Sequence, residues 1–538
     1  MLQFNHCALT MSPTSHSLLL WIIAVAEAAN ILIYSPSYSK SHLISNGRIA
    51  DTLSKAGHNV VMFVPEYEQT NFTGTKYAKV IKMGNLVKHF GLVMNEFTAN
   101  FFTKPKLSTA DLLKWARISA DICEAILRRR EELDHLRSYS FDLAFSEQLE
   151  HCGLGIFHYL GIKAHIWVSS CSIIVPVAYD LGVPTPLSYV PVVEESGLSN
   201  EMTLWERAYN FVLWARAVYV HRYATDLQTE KFREIVARDF PNLREISAQS
   251  ALCFVNNDEF FDLARPILHK IIYIGGLGIP LGSSPLTESF ESLMLKGEKG
   301  VVLMSLGTLV PSSSIPLEIR SDILKVFGEF TEYHFLMRVD EGDNDTRQLL
   351  EDMNLHNVEL IGWMPQLDML GHARLRLFIT HGGLNGMLEA AIRGVPVLVI
   401  PFFGDQFHNA ITAKTRGIGL SLQKCDLNYK HLKDALSELL GNDKYSKAAR
   451  RLSSLIRNKP NKPEEQVMKW TAFVAEYGAL PELHVEGASF NFIKYFGIDL
   501  LVAVLVTLLT AVILVMFVIR RTMIYFRREV EERVKKTN

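Results

Sequence analysis

The sequence predicts an α/β fold with two parallel sheets, one in each half of the chain, followed by a single apolar helix near the C-terminus. Both halves alternate short apolar runs with helical stretches, which is typical of strand–helix–strand units and parallel sheets. Residues 276–290 are rich in Gly, Pro and Ser, as expected of an interdomain linker. Residues 500–519 are apolar apart from two threonines. At about 1.5 Å per residue they span the roughly 30 Å hydrocarbon layer of a bilayer.

Length and charge narrow the class of protein. With 538 residues, the chain is long enough for two domains of ordinary size, each able to bury a core. The formal net charge of −2 gives no indication of a nucleic-acid partner. The six cysteines lie far apart and match neither a metal-binding spacing nor a disulfide framework, so we expect free thiols or an occasional pair.

The N-terminus carries a candidate secretory signal. Residues 17–25 (SLLLWIIAV) form an apolar run too short to span a bilayer, and Ala26, Glu27 and Ala28 follow as a small-residue cleavage site. We therefore predict a signal peptide at 1–28, although no Lys or Arg precedes the run. The alternative is a buried first strand. Two glycosylation sequons, at Asn71 and Asn344, are usable only if the chain is lumenal.

The first domain is predicted at 29–275 and opens with a strand–turn–helix–strand unit. The strands are Asn30–Tyr34 and 59–64, and the helix covers 43–56. The turn lacks the G-x-G-x-x-G motif, which argues against a dinucleotide-binding fold. The turn carries His42 instead. In isolation, a histidine at a helix start is usually a cap or a surface residue. Glu147 follows a further predicted strand, 141–145.

The rest of the first domain continues the alternation. A helical stretch at 107–136 precedes further strands at 164–168, 251–255 and 271–274. Residues 205–236 form a long, aromatic-rich helical region. We expect most of it to be domain core, with an acceptor pocket or a membrane contact as alternatives.

The second domain, predicted at 291–488, opens with strand 301–306 and a small-residue turn at Gly307 and Thr308. A strand at 333–337 ends beside Arg338, and helices are predicted at 432–440, 445–456 and 464–477. Between them, strand Leu375–Thr380, helix Leu384–Arg393 and strand 395–401 form another strand–helix–strand unit.

The turn of this last unit has the features of an anion site. Ligands of open α/β sheets bind beyond the carboxyl ends of the strands. Gly382 and Gly383 permit close backbone approach, and the amides that begin the following helix favour a pyrophosphate. Asn385 and Glu389 share one face of that helix. The carboxylate of Glu389 suits the hydroxyl groups of a sugar. Trp363 offers a flat surface on which a nucleobase could stack. Asp405 and Gln406 offer hydrogen-bonding groups for the hydroxyls of a further sugar.

The block 363–406 closely resembles the motif of the UDP-glycosyltransferases, in particular the membrane-bound UDP-glucuronosyltransferase branch, and the similarity covers nearly the whole chain. The resemblance implies a GT-B fold, with two facing Rossmann-like domains. It places Trp363 on uracil, Gln366 and Glu389 on the ribose, His381 with Gly382 and Gly383 on the diphosphate, and Asp405 and Gln406 on the donor sugar. Further donor-site residues implied are Ser305, Gly307, Thr308, Arg338, Asn385 and Gly386.

The resemblance also implies an inverting mechanism. His42 would be the general base, and Glu147 would orient it. The family normally has Asp at that position, and Glu keeps the charge while adding one methylene. The expected reaction transfers glucuronic acid from UDP-glucuronate to a hydroxyl of a small lipophilic acceptor, in conjugation or detoxification. No cofactor is expected, because UDP-glucuronate or UDP-glucose is a co-substrate. No metal is expected either, because the sequence has no Asp-x-Asp metal–nucleotide motif at a matching place.

Alternatives remain open at this stage. A UDP-glucose-dependent glucosyltransferase fits the same scaffold, since no Arg or Lys in the sequence identifies a site for a sugar carboxylate. A non-catalytic UDP-sugar-binding partner of an active transferase is a second alternative, and a UDP-sugar epimerase a third. The acceptor cannot be read from the sequence, and both homo- and hetero-oligomers are compatible with it.

The C-terminus predicts membrane anchoring. We predict a transmembrane helix at 496–519 and a basic cytoplasmic tail at 520–538. Arg520 and Arg521 follow the apolar run directly, which places that end in the cytosol and the two domains in the lumen. Lys535 and Lys536 are positioned like an endoplasmic reticulum retrieval signal. The expected location is the endoplasmic reticulum membrane, single-pass type I.

Overall fold

The computed structural model describes residues 28–67, 69–86, 96, 98, 101–102, 104 and 106–537. Apart from Ala28, the predicted signal peptide lies outside these residues. The described chain forms two parallel sheets with helices on their faces, and a long apolar helix ends it.

The first sheet has seven strands, all parallel, in the order β3-β2-β1-β4-β5-β6-β7. Their bounds are β1 Asn30–Tyr34, β2 Asn59–Pro65, β3 Lys79–Met83, β4 Leu143–Glu147, β5 Ala164–Ser169, β6 Leu252–Val255 and β7 Ile271–Tyr273. The helices of this half are α1 Lys40–Lys55, α2 Thr109–Arg128, α3 Arg130–His135, α4 Cys152–Leu160, α5 Val175–Leu181, α6 Leu204–Ile235 and α7 Leu243–Ala248.

The second sheet has six parallel strands in the order β10-β9-β8-β11-β12-β13. Their bounds are β8 Gly300–Ser305, β9 Tyr333–Arg338, β10 Val358–Ile361, β11 Leu375–Thr380, β12 Val397–Val399 and β13 Gly419–Ser421. The helices of this half are α8 Glu288–Met294, α9 Leu317–Glu329, α10 Asn344–Met353, α11 Gln366–Leu370, α12 Leu384–Arg393, α13 Gln406–Thr415, α14 Tyr429–Gly441, α15 Lys444–Asn458 and α16 Pro463–Tyr477.

Two helices follow, α17 Phe492–Tyr495 and α18 Ile498–Thr537. Helix α18 is long and apolar enough to cross a membrane, and no part of its most apolar window is buried against the protein. Short 3₁₀ turns occur at Leu136–Tyr139, Ser312–Ser314, Lys424–Asp426, Pro481–Leu483 and Glu486–Ser489.

Each sheet reverses its strand order once, and each reversal opens a crevice. In the first sheet the reversal lies between β1 and β4, and in the second it lies between β8 and β11. Doubly wound sheets bind ligands at such points, outside the carboxyl ends of the strands. His42 follows β1 and Glu147 ends β4, while Gly307 follows β8 and His381 follows β11.

Apolar side chains pack on both faces of each sheet. Helix α16 returns to the first half, where Val467 and Val474 share a core cluster with Leu43 and Leu53 of α1. A disulfide between Cys123 and Cys152 ties α2 to the start of α4, so one cysteine pair does form.

Several sequence-based bounds were wrong. Glu147 is the last residue of β4 rather than a residue beyond it, and Arg338 likewise lies inside β9. The edge strands β3, β10 and β13 were not predicted. Helix α6 was expected to be mostly core, but its surface carries exposed large apolar side chains, with Trp205 80% exposed. The helical stretch 107–136 is broken after Arg128.

Candidate active site

The two crevices face each other across a cleft of about 550 Å³. Helix α1 and the ends of β4 and β5 line one side, and the carboxyl ends of β8, β9 and β11 with the N-terminus of α12 line the other. The cleft is lined by most of the predicted site residues: His42, Ser305, Gly307, Thr308, Arg338, Trp363, Gln366, His381, Gly383, Asn385, Gly386, Glu389, Asp405 and Gln406.

The predicted catalytic pair meets at the first crevice. His42 lies in the first turn of α1, and its Nδ1 is 3.4 Å from Oε1 of Glu147. This separation allows ion pairing but falls outside hydrogen-bond geometry, and Nδ1 has no hydrogen-bond partner in the described chain. Because Tyr34 of β1 pairs with Ser146 of β4, the register carries Glu147 to the level of the β1–α1 turn. The longer glutamate side chain therefore does reach the histidine.

Glu147 is held in place by its own hydrogen bonds. Oε1 accepts a hydrogen bond from the Ser170 hydroxyl at 2.5 Å, and Oε2 accepts one from the Leu149 amide at 3.0 Å. Burial lowers the pKa of His42, but Glu147, and more weakly Asp405, raise it, and the net pKa is above the ordinary histidine value. One fifth of the His42 side chain is exposed, to the cleft. The pair thus has the charge relation of a general base and its orienting carboxylate.

A second buried carboxyl lies behind this pair. Glu150 accepts hydrogen bonds from the hydroxyls of Tyr34 and Tyr67, and the Tyr67 hydroxyl contacts that of Tyr38 at 3.3 Å. Burial raises the pKa of Glu150 to about 7, although the tyrosine hydrogen bonds oppose the rise. The Tyr38 ring meets the His42 ring edge to face, with centroids 6.1 Å apart, so this cluster supports the position of the base. Sequence reasoning missed it.

The second crevice is built around His381. A Cβ atom added to Gly307 would lie 2.5 Å from the His381 ring, and one added to Gly383 would lie 2.4 Å from it. Only glycine therefore fits at either position beside this ring. Gly382 has φ +87°, which favours glycine, but it does not line the cleft, and its carbonyl accepts from Asn409 instead. Gly382 thus shapes the turn.

His381 is a neutral group in this setting. Burial, and then the nearby charge of Arg338, lower the pKa of His381 to about 4. Its Nδ1 is buried and lacks a hydrogen-bond partner in the described chain. The Arg338 guanidinium donates to the Gly307 carbonyl and to Asp340, so it braces the turn after β8. Helix α12 has no side-chain cap at its N-terminus, which leaves its first amides available to an anion.

The base and ribose positions lie next to each other. Trp363 is 69% exposed, and the Lys40 ammonium lies 5.6 Å from its ring centroid. Glu389 accepts from the Gln366 amide at 2.8 Å through one oxygen and meets Arg48 of α1 at 3.3 Å through the other. Arg48 was not predicted. Arg48 follows Ser41 and Ser45 at spacings of seven and three residues, so all three share one face of α1, and this spacing could have indicated its role.

Asn385 makes hydrogen bonds that the sequence did not predict. Its side-chain oxygen accepts from Asn256 at 3.1 Å, and its amide donates to the Ser45 hydroxyl at 3.2 Å. Both partners belong to the first half of the chain. Asn385 lines the cleft, but its hydrogen bonds join the two sheets, and no sequence pattern indicated this.

Asp405 and Gln406 lie where β12 leads into α13. Asp405 accepts from Asn409 at 2.8 Å, and burial raises its pKa. The Gln406 carbonyl oxygen accepts from the Phe402 amide at 2.8 Å, which leaves its own amide group for a ligand. Glu194 and Cys171 also line this end of the cleft, and the charges of Asp405 and Glu194 both act on the Cys171 thiol. This end of the cleft is therefore acidic.

Two doubly wound sheets facing across a cleft, with a histidine–glutamate pair on one edge and a glycine turn before an uncapped helix on the other, have the arrangement of the GT-B fold of glycosyltransferases. A solved structure described as "Crystal Structure Analysis of the Glycotransferase of kitacinnamycin" has the same fold. Its TM-score is 0.56 at 17% identity, and the match covers 84% of this chain and 100% of that one.

Comparison with known sequences defines the family more closely. Residues 29–537 match the family described as UDP-glucoronosyl and UDP-glucosyl transferase, and the chain belongs to this family. A Caenorhabditis elegans protein assigned as UDP-glucuronosyltransferase ugt-48 is 33% identical, over 89% of this chain and 92% of its own. The rat UDP-glucuronosyltransferase 1-2 is 29% identical, over 93% of this chain and 92% of its own.

Proposed function

We propose that this chain transfers a sugar from a UDP-sugar to a hydroxyl of a small lipophilic acceptor, with inversion at the anomeric carbon. The observation that carries the proposal is the placement of the His42–Glu147 pair opposite the His381 turn and Asp405 in one cleft. A base and an anion site on opposite walls are what an in-line displacement at the anomeric carbon requires.

The first wall would handle the proton. With Glu147 beside Nδ1, the His42 Nε2 is left for the acceptor hydroxyl. As the acceptor oxygen bonds to the anomeric carbon, its proton passes to His42, and the bond from that carbon to the diphosphate oxygen breaks. Glu147 stabilises the imidazolium that forms.

The second wall would hold the leaving diphosphate. Negative charge grows on this group as the bond to the sugar breaks, and preorganised donors stabilise such charge best. The uncapped amides of α12 and the unpartnered nitrogen of His381 are donors of this kind. Since His381 is neutral, it would act as a hydrogen-bond donor rather than as a cation.

Two donor sugars are candidates. The names of the relatives favour glucuronic acid. The charges lining the cleft favour glucose, because in the part of the chain that the structure describes Lys40, Arg48 and Arg338 are the lysine and arginine side chains lining it. Lys40 lies beside Trp363, Arg48 beside Glu389 and Arg338 beside Gly307. The end with Asp405 and Glu194 is acidic, and an unpaired sugar carboxylate there would be costly.

The test is UDP release from microsomes that express the chain, with UDP-glucuronate or UDP-glucose and a panel of phenols. We expect turnover with one donor and its loss in His42→Ala. A preference for UDP-glucuronate would reject the charge argument for glucose. Binding of both donors without any turnover would reject the transferase and indicate a non-catalytic UDP-sugar-binding partner.

We further propose that both domains lie in the lumen of the endoplasmic reticulum, as a single-pass type I protein. The Cys123–Cys152 disulfide supports an oxidising compartment, and the arginines after the apolar run support a cytosolic C-terminus. Asn71 and Asn344 are both exposed. Endoglycosidase treatment should shift the mass of the wild type, and an Asn71→Gln, Asn344→Gln variant should show no shift. Glycan-free protein degraded by protease in intact microsomes would overturn this topology.

A further inference from the structure

A second cavity, of about 490 Å³, lies away from the catalytic cleft. Its walls are α5, α6 and the segment 487–496 that precedes the apolar helix α18. Aromatic side chains dominate the lining. The Trp214 ring of α6 lies 5.9 Å from that of Phe492 and 6.2 Å from that of Phe496, and Tyr179 and Tyr219 also face the cavity.

Helix α5 separates this cavity from the catalytic cleft. Ile174, which precedes α5, lines the cleft, whereas Tyr179 and Gly182 at the other end line the second cavity. The helix is anchored by Asp180, which is buried and accepts from His221 at 2.8 Å and from Ser247 at 2.5 Å. The cavity is therefore a site of its own and not an extension of the acceptor pocket.

The position of α18 places this cavity at a membrane surface. Its wall segment ends at Phe496, and α18 begins at Ile498. If 500–519 fills the hydrocarbon layer, the aromatic segment before it lies at the interface, where aromatic residues concentrate.

The outer face of α6 supports the same placement. Trp205, Val212 and Tyr219 are exposed large apolar residues on this helix. Their spacing of seven residues places them on one face of α6, and an exposed apolar face indicates a partner or a membrane. Helix α6 also contacts the segment that precedes the apolar run, through Trp214 and Phe492. The walls of the cavity therefore include the elements that lie nearest the membrane surface.

One cation, Arg222, lines this cavity, and a second, Lys494, lies against the ring of the lining residue Phe490. The Arg222 guanidinium donates to the Tyr179 hydroxyl at 3.2 Å, and the Lys494 ammonium lies 3.8 Å from the Phe490 ring centroid. Within the described ranges, neither has an ion-pair partner. A guanidinium and an ammonium beside an apolar cavity match the chemistry of a phosphate group attached to hydrocarbon.

We propose that this cavity binds one acyl chain of a membrane phospholipid, with Arg222 and Lys494 at the phosphate. The lipid would fix α5 and α6 to the segment 487–496 and thereby set the orientation of the first domain on the membrane. The site takes a lipid from the bilayer and not the acceptor, because α5 closes it from His42.

The test uses the full-length protein in nanodiscs made of phosphatidylcholine with a diazirine on one acyl chain. After illumination, cross-links are mapped by peptide mass spectrometry. We expect labelling within 487–496, and none on the lumenal helix α15. Labelling of the apolar run 500–519 by surrounding lipid serves as the internal reference.

A matched pair of variants separates the cavity from the general membrane surface. Ala215 lines the cavity, whereas Val212, on the same helix, is exposed and does not line it. Ala215→Trp should lower labelling of 487–496 at least fivefold relative to 500–519, and Val212→Trp should leave the ratio unchanged. Equal labelling in Ala215→Trp, or no labelling of 487–496 in the wild type, would overturn the proposal. Loss of the label on adding a phenolic acceptor would assign the cavity to the acceptor instead.

Discussion

The carboxyl edges of the two sheets have the same topology but different contents. The first presents titratable side chains: His42, which is partly exposed to the cleft, the buried Glu147 and, behind them, the buried Glu150. The second presents glycines around a neutral histidine, His381, and the open amides of a helix. The first edge raises the pKa of its histidine, and the second lowers the pKa of its own to about 4.

The difference fits the two tasks that we propose for the two sheet edges. A buried carboxylate beside a histidine favours the imidazolium, which suits proton transfer. Burial beside a guanidinium favours the neutral imidazole, which suits hydrogen bonding to an anion without titration. Strand order brings each histidine to its crevice, and burial together with the neighbouring charge sets the direction of its pKa shift.

The largest effect should come from removing His42, the proposed general base. His42→Ala should lower turnover by about 10²- to 10⁴-fold, the usual contribution of a general base. Initial rates of UDP release measure it. His135→Ala, which alters an exposed histidine of the same domain, is the control and should be neutral. A His42→Ala enzyme of near wild-type rate would remove the first edge from the chemistry.

The next effect tests the charge of Glu147. Glu147→Gln should lower the rate on the order of 10²-fold, because the imidazolium loses its partner. Since Glu147 raises the pKa of His42 and only the neutral ring accepts a proton, the acid limb of the pH–rate profile should move to lower pH in this variant. Glu147→Asp should keep the limb near its original position. A limb that does not move in Glu147→Gln would show that the carboxylate acts only on structure.

A smaller effect should arise at the second edge. Loss of base stacking in Trp363→Ala is expected to cost about 1–3 kcal/mol, which raises KM for the UDP-sugar roughly 5- to 150-fold with little change in kcat. Steady-state kinetics over a donor titration measures both constants. Trp205→Ala, at an exposed tryptophan outside the cleft, is the control. A fall in kcat without a change in KM would contradict a binding role.

The smallest effect on activity should come from the disulfide, which lies in the first half of the chain. Replacing Cys123 and Cys152 by Ser should destabilise the fold by about 2–4 kcal/mol. We expect a lower midpoint of thermal unfolding in detergent, with UDP binding retained below it. Cys425→Ser, at an exposed free thiol, should not shift the midpoint. An unchanged midpoint in the double variant would show that the bond adds no stability.

The local sequence pattern predicted the elements at the carboxyl edge of the second sheet better than those at the edge of the first sheet. Strand β11 and helix α12 have the bounds predicted, because an apolar run, two glycines and a helical period specify them within 20 residues. The neighbourhood of Glu150 depends on strands β1 and β4, which are far apart in sequence. No local sequence pattern predicts contacts of this kind.

Contacts between the two domains were also not predictable from the sequence. Arg48 meets Glu389, and Asn256 meets Asn385, only because the two sheets close on each other. The Cys123–Cys152 pair needs α2 and α4 to lie side by side. The edge strand β3, with two lysines in five residues, lacks the apolar run that marks a central strand.

The separation of tasks between the edges is tested most directly by measuring UDP binding and turnover on the same preparations of His42→Ala and Trp363→Ala. Calorimetry gives the Kd for UDP, and UDP release gives the rate. The account predicts that His42→Ala binds UDP within about twofold of wild type while its turnover falls at least 10²-fold. It predicts weakened binding in Trp363→Ala. Equal loss of UDP binding in both variants, or full turnover in His42→Ala, would contradict it.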